Sequence, residues 1–141
     1  VMEYLDAPDI RQRTEHIIQT LEMSHIDIER IACFRSKGTS TRNTIARCHG
    51  LPKVMQLSLK TKAFYAIEVI SERFDKMSEE EQTETLIHEL MHIPKAFGGG
   101  FRHHDYVCSK EVKKMHKRYK ERCNPNAGIN GVLNQLKSAF K

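Results

Sequence analysis

Residues 78–92 read SEEEQTETLIHELMH, and how this run folds decides how the rest of the chain is read. Ser78 followed three residues later by Glu81 is a capping box, and Glu79 and Glu80 suit the positive end of a helix dipole. Leu86, Ile87, Leu90 and Met91 supply an apolar side at helical spacing. Pro94 disfavours helical geometry at Ile93, so the predicted helix ends near there. On such a helix His88 and His92, four residues apart, lie one above the other on one face. They can present two ring nitrogens to a single zinc ion at about 2.0–2.1 Å. Glu89 stands one step round, placed to take a proton from water in the ion's open position and to pass it to a leaving amine.

Chance alone produces such a pattern in roughly 0.04 of chains with this His and Glu content, so its setting matters. The setting is a capped helix preceded by a strong strand, with five of the eight histidines (88, 92, 103, 104 and 116) inside 29 residues. A catalytic zinc has three protein ligands plus water, so a third ligand is expected downstream. Gly98, Gly99 and Gly100 allow the chain to reverse, and Phe101-Arg102-His103-His104-Asp105 then returns toward the helix. His104 is favoured, because it directly precedes Asp105, the expected N-cap of a second helix running to about Arg122. His103 is the alternative and Glu111 a weaker one.

Upstream, Ile10, Ile17, Ile18 and Leu21 predict a helix over residues 9–24. Residues 27–34 suit a short strand, 35–43 a polar loop, and 44–59 one bent strand with Pro52 at a break or edge. AFYAIEVIS, residues 63–71, is the best strand, rich in aromatic and β-branched side chains. In the second helix Val112, Met115 and Tyr119 are expected inward and His116 at the surface. Residues 124–131 read as a linker, and Val132, Leu133, Leu136 and Phe140 as one side of a short C-terminal helix. The expected organisation is a catalytic domain over 1–123, followed by this linker and amphipathic segment over 124–141.

The composition, 39% hydrophobic and 29% charged, is that of a globular chain and excludes a disordered one. No run approaches the roughly 20 apolar residues of a membrane span, and Val1–Asp9 lacks a basic head with an apolar stretch, so an intracellular, cytoplasmic protein is expected. Cys33, Cys48, Cys108 and Cys123 form no Cys-x-x-Cys pair and are expected to be free thiols. His49 beside Cys48 offers too few ligands for a second metal site. The net charge of +5 is uneven: residues 71–94 carry two basic and seven acidic groups, residues 95–122 nine basic and three acidic. The basic run Lys110–Arg122 is either a solvated helix face or a surface for DNA. Tyr65, Arg102 and Tyr106 are candidates to stabilise an oxyanion, although no spacing fixes their direction.

His88-Glu-Leu-Met-His92, a glycine turn, and a histidine before the next helix resemble the SprT-like zincins. The whole stretch HELMHIPKAFGGGFRHH, residues 88–104, with the strand before it, looks closer still to a family of metallopeptidases from archaea and phages. The resemblance covers about residues 28–120. It implies an α+β, zincin-like minimal domain: an N-terminal helix, a small mixed sheet of three or four strands, two active-site helices and a short C-terminal helix. It also implies one Zn2+ held by His88, His92 and His104, with Glu89 as catalytic base in hydrolysis of a protein or peptide substrate. An edge strand near Ala63–Ile70 would pair with substrate backbone. By analogy with DNA–protein crosslink repair in the SprT-like group, DNA-associated proteins become candidate substrates. The metzincin extension is missing, since Lys95 and Gly98 stand where it wants Gly and His, and there is no cysteine-rich zinc ribbon. The competing reading is an inactive zinc-containing nucleic-acid or scaffold module, in which Glu89 has no chemical duty.

Overall fold

The computed structural model describes residues 1–103 and 106–124. Strand β1 (Glu3–Asp6) leads into helix α1 (Pro8–Thr20), and a 3₁₀ turn (Ile28–Arg30) into strand β2 (Ile31–Lys37). Strand β3 (Ala46–Gly50), helix α2 (Lys53–Leu59) and strand β4 (Tyr65–Ile70) follow. Helices α3 (Ser71–Phe74), α4 (Glu79–Met91) and α5 (Ser109–Cys123) complete the described chain. The four strands form one mixed sheet in the order β1-β2-β4-β3, with β4 parallel to β2 and antiparallel to β3. The architecture is therefore α+β with a small mixed sheet, as expected.

One side of the sheet carries the core. Ile31 and Cys33 of β2 and Tyr65, Ile67 and Val69 of β4 are buried against Ile10, Ile17 and Ile18 of α1 and Leu86, Ile87 and Leu90 of α4. Alternate residues point to the other face. There Glu68 is almost wholly buried, and its two oxygens accept from Ser36 Oγ at 2.5 Å and pair with His49 Nε2 at 2.8 Å. Burial pushes this carboxyl up, but the hydrogen bonds from Ser36 and His49 outweigh it and leave the pKa below the usual value. His49 is thus engaged in a cross-strand hydrogen bond.

Two sequence expectations are corrected here, and one strand is added. Strand β4 is not an edge: β2 and β3 flank it on both sides. Its last four residues, Ile67 to Ile70, are all buried, the pattern of a strand enclosed on both faces. The edge strand on that side is β3. The predicted bent strand over 44–59 is β3 followed by α2, because Pro52, extended at ψ 152°, serves as N-cap of a helix that Lys60 closes in the left-handed region at φ 54°. Strand β1 was not anticipated, since four residues have no periodicity of their own and it exists by pairing with β2.

Helix α4 follows its local signals closely. Ser78 Oγ accepts from Glu81 N at 3.1 Å, and the helix stops at Met91 with His92 as C-cap, still at φ −70° and ψ −17°. Helix α5 starts later than predicted, at Ser109, with Cys108 as an N-cap that makes no side-chain bond, so Asp105 is not its cap. Asp105 itself, His104 and the predicted C-terminal helix lie outside the described residues. His116, expected at the surface, is buried, with Nδ1 3.1 Å from Glu84 Oε2, because α5 packs flat on α4 and turns that ring inward. All four cysteines are free thiols. Among the described residues no helix is long and apolar enough to cross a membrane.

Candidate active site

His88 and His92 occupy the last turn and the C-cap of α4, and their rings converge: Nε2 lies 3.2 Å from Nε2. Two nitrogens at that separation, each about 2.05 Å from a common point, subtend roughly 100° there, close to a tetrahedral angle. The separation therefore suits two ligands of one tetrahedrally coordinated metal ion. The tautomer of His92 fits too. Its Nδ1 is 2.7 Å from the carbonyl oxygen of Arg102, which can only accept, so Nδ1 carries the hydrogen and, in the neutral ring, Nε2 offers its lone pair. The same peptide segment is clamped in return, Arg102 N donating to His92 O at 2.7 Å.

Glu89 sits between the helix and the sheet and is 8% exposed. Burial alone pushes its carboxyl up to about 7 in the metal-free chain. It lines, with His88 and His92, a cleft of about 770 Å³. The opposite wall is Asn43–Ala46, the approach to and first residue of edge strand β3, and Glu81, Glu84 and Thr85 extend the α4 wall. Sequence reasoning missed the β3 wall, because nothing in residues 43–46 announces that their strand ends up beside α4.

The other sequence candidates fall elsewhere. His103 is exposed and Glu111 half-buried, and among the described residues no group of three His, Cys, Asp or Glu forms a metal cluster. Neither His103 nor Glu111 thus completes the His88–His92 pair; His104 lies outside the described residues. Tyr65, Arg102 and Tyr106 do not line the cleft. The Arg102 guanidinium stacks on the Tyr106 ring, 3.5 Å from its centroid. Tyr65 is fully buried, its hydroxyl donating to Gly100 O at 2.7 Å and accepting from Gly99 N at 2.8 Å. Gly99 needs to be glycine: its φ is +102°, and a Cβ would meet Leu51 O at 2.3 Å. The Tyr65 hydroxyl thus pins the glycine turn two residues before the carbonyl that orients His92.

Chain and site can now be set beside known proteins. Residues 2–136 match the PhageMetallopep family, whose description is "Putative phage metallopeptidase". The chain belongs to this family. No curated protein and no solved structure matches the chain. A metallopeptidase family implies a metal ion, and in this family member the converging imidazoles of α4 are the part of the described chain suited to hold one.

The turn also yields an expected result. Tyr65→Phe leaves two backbone groups of the glycine turn without their partner and is expected to cost about 1–3 kcal/mol. A urea titration that returns wild-type stability would show that water replaces the hydroxyl without loss.

Proposed function

We propose that this chain is a zinc-dependent metalloendopeptidase, with His88, His92 and His104 holding one Zn2+ and Glu89 as catalytic base. The observation that carries the reading is the convergence of the two Nε2 atoms to 3.2 Å on the wall of a cleft that also holds a buried carboxyl. When bound, zinc supplies Lewis acidity toward a peptide carbonyl and makes water easier to deprotonate.

The chain's own residues do the rest. His92 is held by Arg102 O, so its ligating nitrogen does not swing away. Glu89 accepts a proton from the attacking water and returns it to the leaving amine. Its burial excludes bulk water, which would otherwise compete for that proton. Among the described residues strand β3 has an unpaired edge beside the cleft, along which an extended substrate backbone can add as a further strand. This role passes to β3 from the sequence expectation for β4.

The SprT-like relationship and a DNA-associated substrate are the narrower part of the proposal. They draw support from α5, whose outward side exposes Lys110, Lys113, Lys114 and Lys117. The test is cleavage of casein, with and without single-stranded DNA. Cleavage is expected to stop with a chelator, to return with zinc, and to rise with DNA at low salt only. Chelator-resistant cleavage would contradict the zinc reading, and indifference to DNA the narrower one.

A further inference from the structure

Helix α2 is built unlike the others. It follows edge strand β3 after only Leu51 and Pro52, and of its seven residues Gln56 alone is buried. Val54 and Leu57 are 68% and 69% exposed, Leu59 59% and Met55 42%. Four large aliphatic side chains in solvent on two turns of helix make an arrangement that normally lies against another apolar surface. Phe101, also exposed, lies at the end of β3 that leads into α2, its ring tip 3.0 Å from where a Cβ on Gly50 would stand.

The stretch of sequence that contains this knob carries charge of one sign. From Arg30 to Ile67 the chain carries Arg30, Arg35, Lys37, Arg42, Arg47, Lys53, Lys60 and Lys62 and not one Asp or Glu. Lys53, Lys60 and Lys62, which bracket α2, make no ion pair among the described residues. An occupant that covers α2 must therefore bring aliphatic groups and negative charge together.

The helix is also wired to the cleft. Gln56 Nε2 donates to Leu51 O at 2.8 Å and to Gly98 O at 2.9 Å, joining α2 to the glycine turn that precedes Arg102 and its bond to His92. A polypeptide laid along β3 runs off the end of that strand onto α2 and Phe101.

We propose that α2 and Phe101 form an exosite for the substrate polypeptide, taking a segment rich in aliphatic and acidic residues a few positions from the bond to be cut. This rests on the peptidase reading of the cleft. A polypeptide is favoured over a lipid surface or a nucleic acid because the knob continues the edge strand, along which an extended backbone adds by hydrogen bonds.

The test uses the full chain and a fluorescent 20-residue peptide alternating Leu and Glu, with a Ser-Gly peptide and a Leu-Lys peptide as controls. Binding is read by anisotropy, so it is measured whether or not cleavage occurs. The Leu-Glu peptide is expected to bind and the controls to bind at least about tenfold more weakly. The triple variant Val54→Ser, Leu57→Ser, Leu59→Ser removes the difference. Lys53→Glu, Lys60→Glu, Lys62→Glu, which leaves the aliphatic surface in place, shifts the preference toward Leu-Lys. Circular dichroism checks that both variants are folded, and the charge variant decides the matter if the serine variant is not. In cleavage assays of Leu-Glu-extended substrates the serine variant raises KM and leaves kcat unchanged.

α2-dependent Leu-Glu binding by a chain that cuts neither casein nor the extended substrates leaves α2 as a polypeptide-binding surface but overturns its role as a substrate exosite, together with the peptidase reading beneath it. Equal binding of all three peptides, or binding unchanged in the variants, overturns the exosite even if casein is cut. Preferential α2-dependent binding of anionic vesicles or single-stranded DNA over the Leu-Glu peptide overturns it as well.

Discussion

Glu89→Gln is expected to leave zinc bound and to lower peptide cleavage by about 10²–10⁴-fold, the range that a positioned proton acceptor contributes. Glutamine fills the same space in the buried pocket but cannot accept the proton. A structural zinc site has no such requirement: the absence of cleavage in both proteins favours the inactive-module reading, whereas undiminished cleavage in the variant rules out Glu89 as the base. The same substitution has a second, opposite signature in the metal-free chain. The folded value of about 7 for Glu89 lies above its ordinary 4.5. The contribution of Glu89 to the stability of the metal-free fold is therefore fully present below about pH 4.5 and is lost as pH rises through about 7. Glutamine escapes that loss, so above pH 7 the chelated variant is expected to be the more stable protein, by on the order of 3 kcal/mol. Urea titrations at pH 5 and pH 8 read the difference; equal midpoints at both would show that Glu89 is solvated when the metal is gone.

His104→Ala is expected to weaken zinc binding by more than the 10–100-fold that loss of an outer-shell partner costs, and to abolish cleavage with it. His103→Ala is expected to leave both near wild type. The asymmetry follows from the exposed position of His103 and from the failure of His103 or Glu111 to join the α4 pair. Competition against a chelator of known affinity measures both variants. If His103→Ala proves the more damaging, the assignment of the third ligand is reversed while the α4 pair stands.

The difference between what was legible and what was not follows the range of the interactions. Helix α4 was readable because each of its determinants is local: Ser78 and Glu81 at its start, Pro94 after its end, and the i, i+4 placement of His88 and His92. Strand β4 was readable as a strand, but its place in the sheet was not. Lateral order depends on pairing with β2 and β3, 15 or more residues away in sequence, and no pattern within residues 63–71 encodes it. Helix α2 was misread because Leu57-Ser58-Leu59 alternates like a strand, while the features that make it a helix are Pro52 as cap and a left-handed Lys60. His116 was misread for the opposite reason. Its neighbours Lys113, Lys114 and Lys117 are exposed, yet 100° of helical rotation carries the histidine itself onto Glu84. In the site, the residue types were visible and the cleft was not: the wall formed by Asn43–Ala46 exists only once β3 pairs beside β4.

That β3 wall, the oriented His92 and the buried Glu89 acquire a common purpose only if the two converging rings hold an ion. Elemental analysis of the purified chain measures this directly. The account predicts one zinc per chain, reduced to near zero in His88→Ala and His92→Ala with the fold retained. A chain that takes up no divalent metal under any condition, or that holds one equally well without those two histidines, would contradict it.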